Sequence, residues 1–98
     1  MNKAERKPLA NSLGPSMLAI SGDACTQKLR SLLAQRRIKG RLTQGELAMR
    51  LGKVQSYIEK IEVGDHSLNI EDLIQISRAL NTSSVLLLKE AIEKSYTI

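Results

Sequence analysis

Residues 42–64 read LTQGELAMRLGKVQSYIEKIEVG. Leu42, Leu47, Ala48 and Leu51 fall on one side of a first short helix, and Ile58 and Ile61 on one side of a second. Gly52 between them marks a tight turn, since glycine takes the left-handed backbone that closes a helix without steric cost. Thr43 followed three residues later by Glu46 is a capping-box start, and Gly64 is a stop. With Ile58 and Ile61 turned inward, the second helix shows Gln55, Ser56, Glu59 and Lys60 to solvent. A polar, small and partly basic helix face of this kind suits the major groove of DNA.

Outward from this pair, the spacing predicts three more helices. The first covers about residues 26–39, where Leu29, Leu32, Leu33 and Ile38 form an apolar stripe, Thr26 is the expected N-cap and Gly40 the stop. A fourth covers about 70–80, with Asn69 as cap, Asp72 as its box partner, and Ile70, Leu73, Ile74, Ile76, Ala79 and Leu80 on its apolar side. A fifth covers about 83–94, with Val85, Leu86, Leu87, Leu88, Ala91 and Ile92. Residues 1–24 carry both prolines and two of the six glycines and show no sustained helical period. They read as a mobile arm in which Leu9, Leu13, Met17, Leu18 and Ile20 are scattered, the alternative being that these pack as a short helix or against a partner. Lys3, Arg6 and Lys7 give that arm a basic cluster, suited to a phosphate or minor-groove contact. Residues 95–98 read as a short fraying tail. The division is thus an arm at 1–24, one domain at 25–94 and a tail at 95–98.

Composition supports an all-α reading. The chain has 98 residues, 42% of them apolar, with no Phe or Trp and only two Tyr. A core of Leu, Ile, Val, Ala and Met suits a small helical bundle better than a β-sandwich. The formal charge is +5, unevenly spread. Residues 27–60 hold nine basic and two acidic side chains, whereas residues 61–98 hold three basic and six acidic. The basic half contains the proposed reading helix, and a clustered positive field is the footprint of phosphate binding. A single cysteine, Cys25, rules out an internal disulfide and a Cys-based zinc site and fits a reducing cytosol. No apolar run approaches the roughly 20 residues of a membrane span. No nucleophile–base set, glycine-rich phosphate loop or metal cluster is present in the sequence, so neither an enzyme nor a cofactor is expected. The expected location is the cytoplasm.

The run Leu42-Thr43-Gln44-Gly45-Glu46-Leu47-Ala48, then Leu51-Gly52, Gln55-Ser56-Tyr57-Ile58 and Ile61-Glu62-Val63-Gly64, resembles the phage-repressor or Cro type of helix-turn-helix, the xenobiotic-response-element class. Leu73 and Ala79-Leu80 extend the resemblance, which covers about residues 26–92. It implies a compact five-helix bundle of the lambda-repressor-like type. It implies that Gln44 binds a DNA phosphate and that Gln55, Ser56 and Lys60 face base edges. Glu59 either accepts from a cytosine amine or sets the position of Lys60 or an arginine. Tyr57 lies at the flank, donating to a phosphate or packing partly into the core. Arg37, or its neighbour Arg36, pairs with Glu62. Arg41, Lys53 and His66 are further phosphate contacts, His66 alternatively being only solvated. Two positions depart from the family: Arg41 stands where glycine is usual, and Val54 stands where a capping side chain is usual. Val54 either offers its methyls to thymine or packs on the turn.

Four consecutive apolar residues, Val85, Leu86, Leu87 and Leu88, span about 300° of a helix surface. A bundle helix buries a stripe of about 100°. Some of the four are left facing out as a homodimer surface. The reading that follows is a sequence-specific transcriptional regulator, a repressor that binds a palindromic operator on double-stranded DNA as a homodimer. The alternative is the antitoxin of a toxin–antitoxin pair, holding a toxin protein through residues 1–24 or the C-terminal region.

Overall fold

The structure, a computed structural model, describes residues 15–96, with side chains from Ala24 on. It contains α1 (Pro15–Lys39), α2 (Gln44–Arg50), α3 (Gln55–Val63), α4 (Ile70–Ala79) and α5 (Ser84–Tyr96), and no strand among the described residues. Leu29, Leu32 and Leu33 of α1 meet Leu47 and Ala48 of α2, Ile58 and Ile61 of α3, Leu73 and Ile76 of α4, and Leu87 and Ala91 of α5 in one core. Burying these side chains, each worth about 1.5–3 kcal/mol for the larger aliphatics, holds five short helices that are marginal alone. Helix α5 runs back along α1. Ser95 Oγ donates to the Ala24 carbonyl, and Arg36 pairs with Glu90 at 3.5 Å.

The helix ends follow from local chemistry. Thr43 Oγ1 accepts from the Glu46 N–H at 3.0 Å, and Glu46 accepts from the Thr43 N–H at 2.8 Å. Asn69 and Asp72 make the same reciprocal pair at the start of α4. Gly52 and Gly64 close α2 and α3 with φ of 67° and 96°. Val54 occupies the cap position of α3 with no side-chain hydrogen bond, as its apolar side chain dictates.

Helix α1 begins at Pro15, so Thr26 lies inside the helix and does not cap it. Proline fits there because the first-turn N–H it lacks would have no intrahelical partner. The remainder of the expected arm, residues 1–14, lies outside the described residues. Helix α5 runs through Ser95 to Tyr96, so the first two residues of the expected tail are helical, and residues 97–98 lie outside the described residues. Ile38 and Ile70 continue the inward stripes of the sequence, yet they are exposed, because each sits at a helix end where no neighbouring helix covers it. Leu87, expected with Val85, Leu86 and Leu88 on a dimer surface, is fully buried in the core. The four residues divide as helical geometry requires: Leu87 in, Leu88 half-buried, Val85 and Leu86 out.

Candidate nucleic-acid interface

Helix α3 is held from beneath by side chains of α1 and α2. Arg37 donates from Nε to Glu62 Oε2 at 2.6 Å and from Nη2 to Glu62 Oε1 at 3.1 Å, a two-pronged grip. Its Nη1 donates to the Leu42 carbonyl at 2.9 Å, which ties the same guanidinium to the turn before α2. Gln44 Nε2 donates to Glu62 Oε1 at 2.8 Å. Glu62 therefore joins α1, α2 and α3, and Arg36 is engaged elsewhere, with Glu90.

Arg30, two helical turns before Arg37, is a positioning residue that charge counting conceals. It is buried, and its Nη1 donates to the Ile61 carbonyl in the last turn of α3. A cation near the carbonyl end of a helix is favourably placed in the field of the helix dipole. Its spacing is the signal that was available: Arg30, Leu33 and Arg37 fall at i, i+3 and i+7, the inward side of α1. A guanidinium on the face that carries Leu33 has no route to a DNA phosphate.

With its inner face fixed, α3 presents Gln55, Ser56, Glu59 and Lys60 to solvent, all exposed. Gln55 Nε2 donates to Glu59 Oε2 at 2.9 Å. A methyl group added at Gly45 would lie 3.0 Å from Gln55 Oε1, so the Gln55 carboxamide lies directly against the α2 backbone. Val54 is 70% exposed, leaving its methyls free of the turn.

The flank of α3 is organised around Tyr57. Its hydroxyl donates to Asp72 Oδ1 at 2.6 Å, so the expected phosphate donor is committed within the protein. Burial, then the hydrogen bond and charge of Asp72, hold the phenol well above its ordinary pKa, and it remains a donor at neutral pH. Lys53 Nζ lies 5.2 Å from the ring centroid, and the His66 ring meets it edge-on at 5.4 Å. The structure thus brings Lys53, Tyr57 and His66 together at one end of α3, with Lys53 and His66 exposed. Gln44 spends one of its amide hydrogens on Glu62 and is half-buried. A second amide hydrogen remains to it.

The basic charge of residues 27–60 is partly internal. Arg30 and Arg37 are consumed by α3, Arg36 by Glu90, and Arg50 donates to the Ala79 carbonyl at 3.0 Å. Lys28, Lys39, Arg41, Lys53 and Lys60 have no ion-pair partner among the described residues. Arg41 sits at the turn before α2, exposed, with φ of 61°. The left-handed position usual for glycine is retained, and it falls on Arg41 while Gly40 precedes it.

Two short helices joined at a left-handed glycine, the second locked from below and polar outside, define a helix-turn-helix. A family model described as helix-turn-helix matches residues 33–87, from the middle of α1 into α5. The chain belongs to this family, in its lambda-repressor-like, xenobiotic-response-element form, and is a DNA-binding transcriptional regulator. Among curated proteins, no relative matches the chain. Among the described residues, no helix is long and apolar enough to cross a membrane.

Proposed function

We propose that the protein is a sequence-specific repressor that binds a palindromic operator as a homodimer and occludes a promoter. The observation that carries this reading is the division of α3. Its inner face is tied at Ile61 and Glu62 by Arg30, Arg37 and Gln44, while Gln55, Ser56, Glu59 and Lys60 stand free of the core. A rigid scaffold beneath an exposed polar helix face is what base readout demands, because discrimination is lost when the reading side chains are loosely placed. Lys60 is suited to guanine O6 and N7. Ser56, in the first turn, is suited to either a donor or an acceptor. Arg41, Lys53, His66 and the remaining Gln44 amide hydrogen are the phosphate contacts in this reading, and they set register without carrying sequence information.

The dimer surface in this reading is the exposed side of α5. Val85, Leu88 and Ile92 recur at i, i+3 and i+7 and line a shallow apolar groove with the stems of Lys89 and Glu93. Leu88 also borders a second apolar hollow with Leu68, Ile70 and Leu73. In this reading the dimer presents its two α3 helices to half-sites one DNA turn, about 34 Å, apart.

The test is a gel shift and footprint on the DNA upstream of the protein's own gene. A protected site with two-fold symmetry and a dimer stoichiometry is the expected result. Equal affinity for that DNA and for a scrambled duplex at matched salt would refute sequence-specific binding.

A further inference from the structure

On the reading of α3 as the groove-facing helix, we infer that Glu59 is its base-specificity residue and that Gln55, seated on Gly45, is the positioning residue that aims it. A glutamine that grips adenine does so with both ends of its carboxamide, Nε2 donating to N7 and Oε1 accepting from the N6 amine. Here Nε2 donates to Glu59 Oε2 at 2.9 Å and Oε1 faces the Gly45 backbone. Nε2 keeps one further hydrogen and Oε1 lies against α2, so a two-pronged grip on adenine requires the carboxamide to leave Glu59 and turn away from Gly45.

The same bond holds Glu59. Its carboxylate accepts one hydrogen from Gln55 and keeps its remaining lone pairs on the exposed face of α3. An ionised acceptor aimed at DNA is unfavourable almost everywhere, because it meets phosphates and acceptor atoms. It is favourable only opposite an exocyclic amine, N4 of cytosine or N6 of adenine. Guanine O6 and thymine O4 leave the carboxylate facing another acceptor, desolvated and unpaired. Glu59 therefore discriminates chiefly by rejection, which is an efficient route to specificity.

Gly45 explains how Gln55 is held. Glycine inside a helix costs about 1 kcal/mol against alanine. In α2 its bare Cα admits the Gln55 carboxamide, which an alanine methyl 3.0 Å from Oε1 would push aside by a few tenths of an ångström. The reading carboxylate of α3 is thus braced, through Gln55, against α2.

The experiment is selection from a randomised duplex library at fixed pH and salt, with sequencing of the bound fraction, for the wild type, Glu59→Gln, Gln55→Ala and Gly45→Ala. The wild type should demand cytosine or adenine at one position of each half-site. Glu59→Gln should relax that position roughly tenfold or more and should bind random duplex more tightly, having lost a charge that phosphates repel. Gln55→Ala and Gly45→Ala should weaken the preference at that same position and at no other. Gly45→Ala should do so while raising the unfolding midpoint, a combination that a purely structural role for Gly45 does not produce. A preference that survives Glu59→Gln, or one lost in Gln55→Ala at a different position, overturns this inference and leaves groove reading by α3 intact. A wild type with no sequence preference at all overturns both.

Discussion

Arg37 and Glu62 form a two-pronged pair at 2.6 and 3.1 Å, with side chains 13% and 12% exposed. Glu62 also receives Gln44 at 2.8 Å. Removing one partner leaves the other charge buried and unpaired, a loss of about 3–5 kcal/mol for enclosed pairs. Glu62→Ala and Arg37→Met are therefore each expected to cost roughly 3 kcal/mol in urea unfolding. The double variant should cost clearly less than the two single losses added together. Additive losses would mean the two side chains act independently.

Arg41 holds φ of 61°, a conformation that costs a side-chain-bearing residue about 1–2 kcal/mol. Glycine removes that strain, and its extra freedom in the unfolded chain returns about 0.4–1 kcal/mol. Arg41→Gly should thus stabilise the fold by roughly 0.5 kcal/mol. If Arg41 meets a phosphate, the same variant lowers the slope of log affinity against log salt by about 1. Thermal unfolding reads the first effect and a salt titration of DNA binding the second. An unchanged slope would remove Arg41 from the phosphate contacts.

Ser77 is 1% exposed, and its Oγ has no hydrogen-bond partner among the described residues. A buried hydroxyl without a partner carries a desolvation penalty of about 1–3 kcal/mol, and alanine is the better helix former. Ser77→Ala should raise stability by about 1 kcal/mol, a shift of roughly 4–8 °C in the unfolding midpoint for a domain this size. A fall in the midpoint would show that the hydroxyl has an ordered water as its partner.

The helix-turn-helix was legible because its signals are local. Thr43 and Glu46, Gly52, Ile58, Ile61 and Gly64 each fix one feature of one or two turns, and these features agree with one another. What escaped the sequence depended on which neighbour covers which face. Ile38 and Ile70 continue their stripes in sequence, yet lie beyond the reach of the next helix. Arg30 counts as one more surface cation until α3 is packed above it. The Tyr57 hydroxyl appears available to DNA until α4 brings Asp72 within 2.6 Å. Gln55 and Glu59 are neighbours at i, i+4 on any helix, but the closeness of Gln55 to Gly45 needs the angle between α2 and α3.

Burial of the Tyr57 phenol, together with its bond to Asp72, makes stability depend on pH in the alkaline range. The folded protein holds the phenol above its unfolded value of 10.0, so the folded state keeps a proton that the unfolded state releases. The stabilisation is fully present below pH 10 and is lost progressively as pH rises from there. Unfolding free energy should therefore fall above pH 10 more steeply for the wild type than for Tyr57→Phe, which has no phenol to ionise at this position. At pH 7 the variant should lose roughly 1 kcal/mol for the missing hydrogen bond. Parallel stability curves for the two proteins from pH 9 to 11 would contradict this account.

The two sides of α5 should respond to substitution in opposite ways. Leu87 is 0% exposed, and Leu87→Ala should cost about 2–5 kcal/mol in unfolding, as cavity formation does elsewhere. Val85 is 73% exposed and Ile92 43% exposed, so Val85→Asp and Ile92→Lys leave the monomer core untouched. If α5 is the homodimer surface, these two variants sediment as folded monomers where the wild type sediments as a dimer. Their binding to a full palindromic site should then fall much further than their binding to an isolated half-site, because only the full site uses both copies of α3. A wild type that is monomeric at tens of micromolar, or a Val85→Asp variant that remains dimeric, would move the interface away from this side of α5.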